Sequence, residues 1–367
     1  MRVAVQDQST SELDARVTRL VELHFHPRHG SRYWLQRAAE LGIDALDEIQ
    51  CSADLLKLGP MDETALAERP IEDFIPAALQ HQRPHFLITE TAGTLGRAKL
   101  AVHRRDEFLD AFVAPFIAAA ERVNFPRGLN WLFIGPSGPH IIGKAATACA
   151  SALGSADPFT IDLDPRWAKK LVPGSFAWKR YLEHIEHQAL TLLATQKIGV
   201  LFSTPIVLES LIERMSAAQR ERIHGLHLGG VSVSAAQRQR FEIQLPNTVI
   251  LSGYGNSLFG VQPEVDFTPA HGFVYQAHGT RLIVRMIPLD GGQMVERLTQ
   301  DVAYGDRGQV VMTRLDEAQL IVNLVERDSA VRTAPQPLLA DAGFFNDAVG
   351  DPQPIVSQQL KPSVGFY

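Results

Sequence analysis

"ITETAGTLGRAKLAVHRRDEF", residues 88–108, decides how the rest of the chain is read. The apolar run "HFLIT" (85–89) leads into it and reads as a buried strand. "RRDEFLDAFVAPFIAAAERV" (104–123) follows and reads as a long buried helix, kinked at Pro115. Between them lie small Thr and Gly residues and one cation, Lys99. In such a turn backbone N–H groups point into one cavity, and a nest of that kind attracts anions. Thr91 and Thr94 add hydroxyl donors. The same composition also suits an ordinary polar turn, and the local pattern alone does not separate the two.

Outward from this turn the chain alternates. "NWLFIG" (130–135), "FTIDLD" (159–164), "IGVLFSTP" (198–205), "IHGLHLGG" (223–230) and "NTVILSGYG" (247–255) are short apolar runs. Helical patterns separate them, as in "HIIGKAATACASAL" (140–153), "WKRYLEHIEHQALTLLATQ" (178–196) and "SAAQRQRFEIQL" (234–245). Short apolar strands alternating with helices imply a parallel sheet covered on both faces. In that class ligands sit at the carboxyl ends of the strands. The first third is helical: Ser9 and Glu12 have capping-box spacing, and Ser31 and Gly42 bracket a second helix.

After about Asp266 the character changes. "GFVYQA" (272–277), "TRLIVRMI" (280–287), "GQVVMTRL" (308–315) and "QLIVNLVER" (319–327) are strands with no long helix between them, a small antiparallel sheet or barrel. The expected division is an α/β body over 1–266, an antiparallel β subdomain over 267–335, and a loosely structured Pro/Gly-rich tail over 336–367.

The formal charge of −6, with no long basic run, argues against a nucleic-acid binder, which needs a concentrated cationic face. Cys51 and Cys149 form no framework, and the amino terminus lacks a signal-peptide apolar core. No run approaches a membrane span, so a reducing cytoplasm is the expected setting.

Other motifs compete weakly with the opening turn. "GPHIIGKA" (138–145) nearly matches G-x-x-x-x-G-K-[ST], but Ala145 lacks the hydroxyl that holds Mg²⁺. A P-loop nucleotide hydrolase built on Gly138 to Lys144 is therefore a minor alternative. His24, His26 and His29, and His184 with His187, lack the two-His-plus-Glu spacing of a zinc helix, and no metal ligand is assigned. No G-x-S-x-G is present, and Asp328 taken alone is a strand-end carboxylate of no special meaning.

Taken in order, these pieces resemble the adenylate-forming superfamily, in its phenylacetate–CoA ligase-like branch. "TAGTLGRAK" (91–99) resembles the family's phosphate loop at Thr91, Gly93, Thr94, Gly96 and Lys99, and departs from it at Ala92, Leu95 and Ala98. "GPSGPHIIG" (135–143) is similar to the aromatic-acid pocket loop, and "STPIVLESL" (203–211) to a T-P-x-x-L element. "LHLGGVSVS" (226–234) resembles the strand and turn against adenine, and "GYGNSLFG" (253–260) resembles Y-G-x-[ST]-E. "GDRGQVVMTRL" with "LIVNLVERD" places Asp328 where the family binds ribose hydroxyls. The likeness spans roughly residues 27–332, and the order of six weak motifs is more specific than any one of them.

The resemblance implies a fold: an adenylate-forming N-terminal domain, with parallel sheets and a small antiparallel β-barrel-like subdomain. It also implies roles. Lys99 and Ser257 would be catalytic, Ser257 reaching the α-phosphate. Thr91, Gly93, Thr94 and Gly96 would hold the outer phosphates, with Lys99. Gly229, Gly230, Val231, Tyr254, Gly255 and Asn256 would border the nucleotide, and Asp328 would fix its ribose. Gly135, Ser137, Gly138 and His140 would border the acid. ATP and Mg²⁺ are the cofactors it implies, with CoA as an acceptor in the family.

Two departures stand against this. Leu258 replaces the motif Glu that holds Mg²⁺, and a leucine offers no oxygen ligand. The family continues beyond the ribose Asp into a mobile lid carrying a catalytic lysine, and no such pattern follows Arg332 here. Short, lidless adenylating proteins of phenazine antibiotic biosynthesis share that shape. They suggest a planar aromatic acid, such as a phenazine carboxylate, as substrate. The alternative is a degenerate member that binds an aromatic acid or acyl-adenylate for a partner protein, which supplies the lid or reduces the activated acid. The oligomeric state stays open, a dimer being one option.

Overall fold

The computed structural model describes residues 2–91, 97–168 and 170–355. Continuous apolar runs demand cover on both sides, and this shapes the centre of the molecule. β3 (Asn130–Gly135), β4 (Phe159–Asp162), β5 (Ile198–Ser203), β6 (Gly225–Leu228) and β7 (Val249–Asn256) form a parallel array ordered β4-β3-β5-β6-β7. Alternation along β3 splits its side chains. Trp131 and Phe133 enter one core with Phe112 and Phe116. Leu132 and Ile134 enter the other, with Ile185, Leu208 and Phe241 of the helices Phe176–Thr195, Pro205–Arg214 and Ala235–Gln244.

Local chemistry sets those helix starts. Ser175 Oγ accepts from Trp178 N, Pro205 stands in the first turn of its helix, and Ser234 with Gln237 makes a capping box.

The array does not end at β7. β8 (Gly260–Thr268) turns back antiparallel on it, then pairs with β9 (Gly272–Gln276). β10 (Leu282–Ile287), β11 (Arg307–Leu315), β12 (Leu320–Thr333) and β13 (Ala348–Pro354) complete an eleven-stranded sheet ordered β10-β11-β12-β13-β9-β8-β7-β6-β5-β3-β4. β8 runs across residue 266, where a boundary was expected.

Four local expectations are corrected. Residues 88–108 do not run from one strand directly into a helix: β1 (Phe86–Glu90) and β2 (Leu100–Arg104) pair antiparallel, and residues 92–96 between them lie outside the described residues. Ala101, Val102 and His103 are buried, which favours a strand before the helix begins at Arg105. β1 is not buried throughout, since Ile88 is 55% exposed. The first helix begins at Arg2, so Ser9 and Glu12 are interior to it rather than a cap. The stretch expected as a loose tail contains β13, pinned between β12 and β9 by the buried Ala348 and Val349; residues 356–367 lie outside the described residues.

The long helix forms as expected and is irregular just before its proline. Its π turn, Leu109–Val113, includes the carbonyl of Ala111 and stands just before Pro115. Gly260 packs against that carbonyl, and a Cβ there would come within 2.4 Å of it. No helix among the described residues is long and apolar enough to cross a membrane.

Candidate functional site

The carboxyl ends of β3, β5, β6 and β7 lie along one edge of the parallel array, and the β1–β2 hairpin is tied to it. Glu90 N donates to Pro139 O at 3.1 Å, and Ser257 Oγ donates to Glu90 O at 3.1 Å. The end of β1 and the turns after β3 and β7 therefore meet.

A cavity of about 140 Å³ opens between the ends of β6 and β7 and the antiparallel strands. Gly230, Val231, Tyr254, Gly255 and Asp328, five of the residues expected around a nucleotide, line it. Gly230 has φ 86°, a left-handed turn that a side chain would strain. Tyr254 OH donates to Asp328 Oδ2 at 2.9 Å, although the two are 74 positions apart. Burial raises the Asp328 pKa, while the tyrosine hydrogen bond lowers it. Burial, with the charges of Asp328 and Glu326, pushes the Tyr254 phenol well above its usual range, so it stays a donor.

Sequence reasoning missed several walls of this cavity. Phe273 and Tyr275 on β9 stack at 5.9 Å and 15°, and Tyr275 OH meets Ser252 Oγ at 3.0 Å. Asp351 and Pro352 come from β13. Glu326, two positions before Asp328 on the same strand, was also missed. Asn256 Nδ2 donates to Glu326 Oε1 at 3.0 Å. Burial, opposed by Lys99 and reinforced by Asp328, lifts Glu326 to about 7.

Of the residues expected to hold phosphates, Thr91 and Lys99 meet beyond the paired strands β1 and β2. Thr91 N donates to Lys99 O at 2.9 Å, and Lys99 N to Thr91 Oγ1 at 3.0 Å. Gly93, Thr94 and Gly96 lie outside the described residues. Lys99 Nζ pairs with Glu63 Oε2 at 2.5 Å. A phosphate at Lys99 has to compete with that carboxylate. Likewise Ser257 Oγ reaches a phosphate only by exchanging its bond to Glu90 O.

On the acid side, Gly135 ends β3 and His140 is the buried residue that precedes the helix Ile141–Ala152. Ser137 N and Oγ both donate to Asp162 Oδ1, at 2.8 and 3.0 Å, so the loop over Gly138 is anchored to the end of β4. Ile141 packs into the core while Lys144 is exposed, which suits a helix start against the sheet rather than a phosphate-wrapping loop. His24 is buried, His26 and His29 stack at 4.8 Å, and His184 bonds Gln188.

Leu258 is only 1% exposed, its side chain turned into the core. Among the described residues no group of three His, Cys, Asp or Glu is arranged to hold a metal. Glu326, Asp328 and Glu63 are engaged by Asn256, Tyr254 and Lys99. These residues do not make a protein-held Mg²⁺ site of the family's kind.

No family model matches the sequence, and no curated protein matches it. Solved structures do. An open conformation of 2-hydroxyisobutyryl-CoA ligase in complex with 2-HIB-AMP and CoA aligns with TM-score 0.65 at 15% identity, over 93% of this chain and 68% of that one. The same ligase in its thioesterification state aligns with TM-score 0.64 at 16% identity, over 94% and 67%. The chain has the fold of that ligase. It spans about two thirds of the ligase's length. The fold class expected from the motifs, an α/β body with a helix-covered parallel sheet and an antiparallel β part, is the one observed.

Proposed function

We propose that this chain binds ATP and activates a carboxylic acid as its acyl-adenylate. The observation that carries the reading is the convergence of Gly230, Val231, Tyr254, Gly255 and Asp328 on one cavity beside the hairpin that bears Lys99. A carboxylate oxygen of the acid attacks the α-phosphorus of ATP, the bond to the bridging oxygen breaks, and pyrophosphate leaves. The carboxylate, a poor electrophile, becomes a mixed anhydride with a good leaving group.

The protein's share is positioning and charge stabilisation. Asp328, steadied by Tyr254, holds the ribose hydroxyls. Phe273, Tyr275 and Val231 wall the base, and Gly229 and Asn256 flank the wall. Lys99 exchanges Glu63 for a phosphate, with Thr91, Gly93, Thr94 and Gly96 at the same loop. Ser257 faces the α-phosphate, and Gly135, Ser137, Gly138 and His140 border the acid. The known ligase was solved with 2-HIB-AMP and CoA. An adenylate intermediate and CoA as acceptor are therefore the comparison's suggestions for this fold.

For the acid, the resemblance of "GPSGPHIIG" to an aromatic-acid loop favours a planar aromatic carboxylate, with a phenazine carboxylate, as in proteins of the EhpF type, the narrowest form of the reading. Pyrophosphate exchange into ATP, run with a panel of aromatic acids including phenazine carboxylates, tests it. Acid-dependent exchange supports adenylation, and the acid that drives it names the substrate.

A second reading has its own observation. With Leu258 in the core and no carboxylate at that position, the site lacks the family's metal ligand. The chain would then bind an aromatic acid or acyl-adenylate for a partner protein. Acid binding by calorimetry without exchange would favour it. The first reading requires Asp328 at the ribose: Asp328→Ala should abolish nucleotide binding with the fold intact, and unchanged binding removes the assignment.

A further inference from the structure

The turn between β7 and β8 carries Ser257, and three successive carbonyls of this turn are each held from beneath. His103 Nε2 meets Ser257 O at 2.9 Å, Arg314 Nη1 donates to Leu258 O at 3.1 Å, and Arg281 Nη1 donates to Phe259 O. From the other side, Asn256 Oδ1 accepts from Leu258 N at 2.9 Å and from Phe259 N at 3.2 Å. The donors come from β2, β11 and the residue just before β10, so distant parts of the chain converge on one turn.

The donors are themselves fixed. Asp316 Oδ2 accepts from Arg314 Nε at 2.5 Å and from Arg281 Nε and Nη2 at 3.1 and 2.8 Å. Arg314 Nη2 donates to Val102 O at 2.6 Å, beside His103. All four side chains are buried. Burial pushes the Asp316 carboxyl up, but the two guanidiniums outweigh it and hold it below the usual carboxylate range. Burial and the same two arginines keep His103 neutral. A carbonyl can only accept, so His103 carries its proton on Nε2, and its buried Nδ1 has no hydrogen-bond partner among the described residues.

A buried ionic triad is a poor source of stability, because desolvation offsets much of its Coulomb energy. Apolar residues of similar volume would serve the core as well. What they would not do is aim donors at Ser257 O, Leu258 O and Phe259 O.

We infer that Arg281, Asp316 and Arg314, with His103, form a positioning device that holds the turn of Ser257 against the nucleotide phosphate. The inference rests on the proposed nucleotide site and adds residues that contact no ligand themselves. A device of this kind acts on the phosphate and leaves the nucleoside alone, since adenosine is held by Tyr254, Asp328 and the β9 aromatics.

The test is calorimetric titration of the full chain with adenosine, AMP and ATP, for wild type, Arg314→Met, Arg314→Lys and His103→Phe. His103→Phe keeps the ionic triad and the ring packing against Phe112, so it stays informative if Arg314→Met does not fold. The expected result is a roughly tenfold loss of AMP and ATP affinity in Arg314→Met and in His103→Phe, unchanged adenosine affinity, and partial recovery in Arg314→Lys. Equal loss of adenosine and AMP, or no loss of either in a folded variant, overturns the inference. If wild type binds none of the three, the nucleotide site itself fails, a different and recognisable outcome.

Discussion

Glu326 lies beside the candidate site, and its surroundings push its carboxyl up to about 7. It sits on β12 with Asp328 two residues on, and its Oε1 accepts from Asn256 Nδ2 at 3.0 Å. Burial raises its pKa, Lys99 lowers it, Asp328 raises it again, and the balance lies at about 7 against an ordinary 4.5. The native state therefore holds a proton that the unfolded chain releases near pH 4.5. Its contribution to stability is complete below that value and is lost as pH rises through about 7. At 1.36 kcal/mol per pKa unit the ceiling is about 3 kcal/mol, and the partial exposure of the side chain reduces it to roughly 1–2 kcal/mol. For a chain of this length that is a shift of roughly 1–3 °C in Tm.

Glu326→Gln keeps an acceptor for Asn256 and removes the titration. The stability difference between variant and wild type, from urea denaturation at pH 5, 6, 7 and 8, should move by about 1–2 kcal/mol in favour of the variant across that range. Groups common to both proteins cancel in this difference, including His227, which burial pulls down to about 4. A constant difference from pH 5 to 8 refutes the assignment. Ionised Glu326 would also repel a nucleotide phosphate, so the nucleotide affinity of wild type should fall between pH 6 and 8 while that of the variant stays flatter.

Two further outcomes follow from the packing. Leu258→Glu restores the family's residue but puts a carboxylate into the core, so the chain should lose several kcal/mol of stability in urea denaturation rather than gain a metal site; a fully stable variant that binds Mn²⁺ by electron paramagnetic resonance would contradict this. Phe116→Ala, which removes a ring lying against Phe125, Trp131 and His227, should cost about 3–5 kcal/mol, and a loss under 1 kcal/mol would mean that this aromatic core is looser than its contacts indicate.

The sequence by itself determined the local elements. Continuous apolar runs at β3, β5 and β6 announced a sheet covered on both faces, because a run without polar positions has no solvent face to offer. The second helix, bracketed by Ser31 and Gly42, is decided within a few residues, so it too was legible. The motif order assigned Tyr254 and Asp328 to one site, and in the folded chain a hydrogen bond joins the two side chains. Tertiary structure decided the rest. Residues 100–104 became a strand paired with β1 because they are buried against distant segments, Val102 N donating to Gln319 Oε1. β13 became a strand because β9 and β12 leave an edge between them, and an unpaired edge is invisible in a Pro-rich segment read alone. The cluster beneath Ser257 joins His103, Arg281, Arg314 and Asp316, residues whose meaning lies in which carbonyls they reach. Hydrogen bonds across such separations have no sequence period, so only the folded chain reveals them.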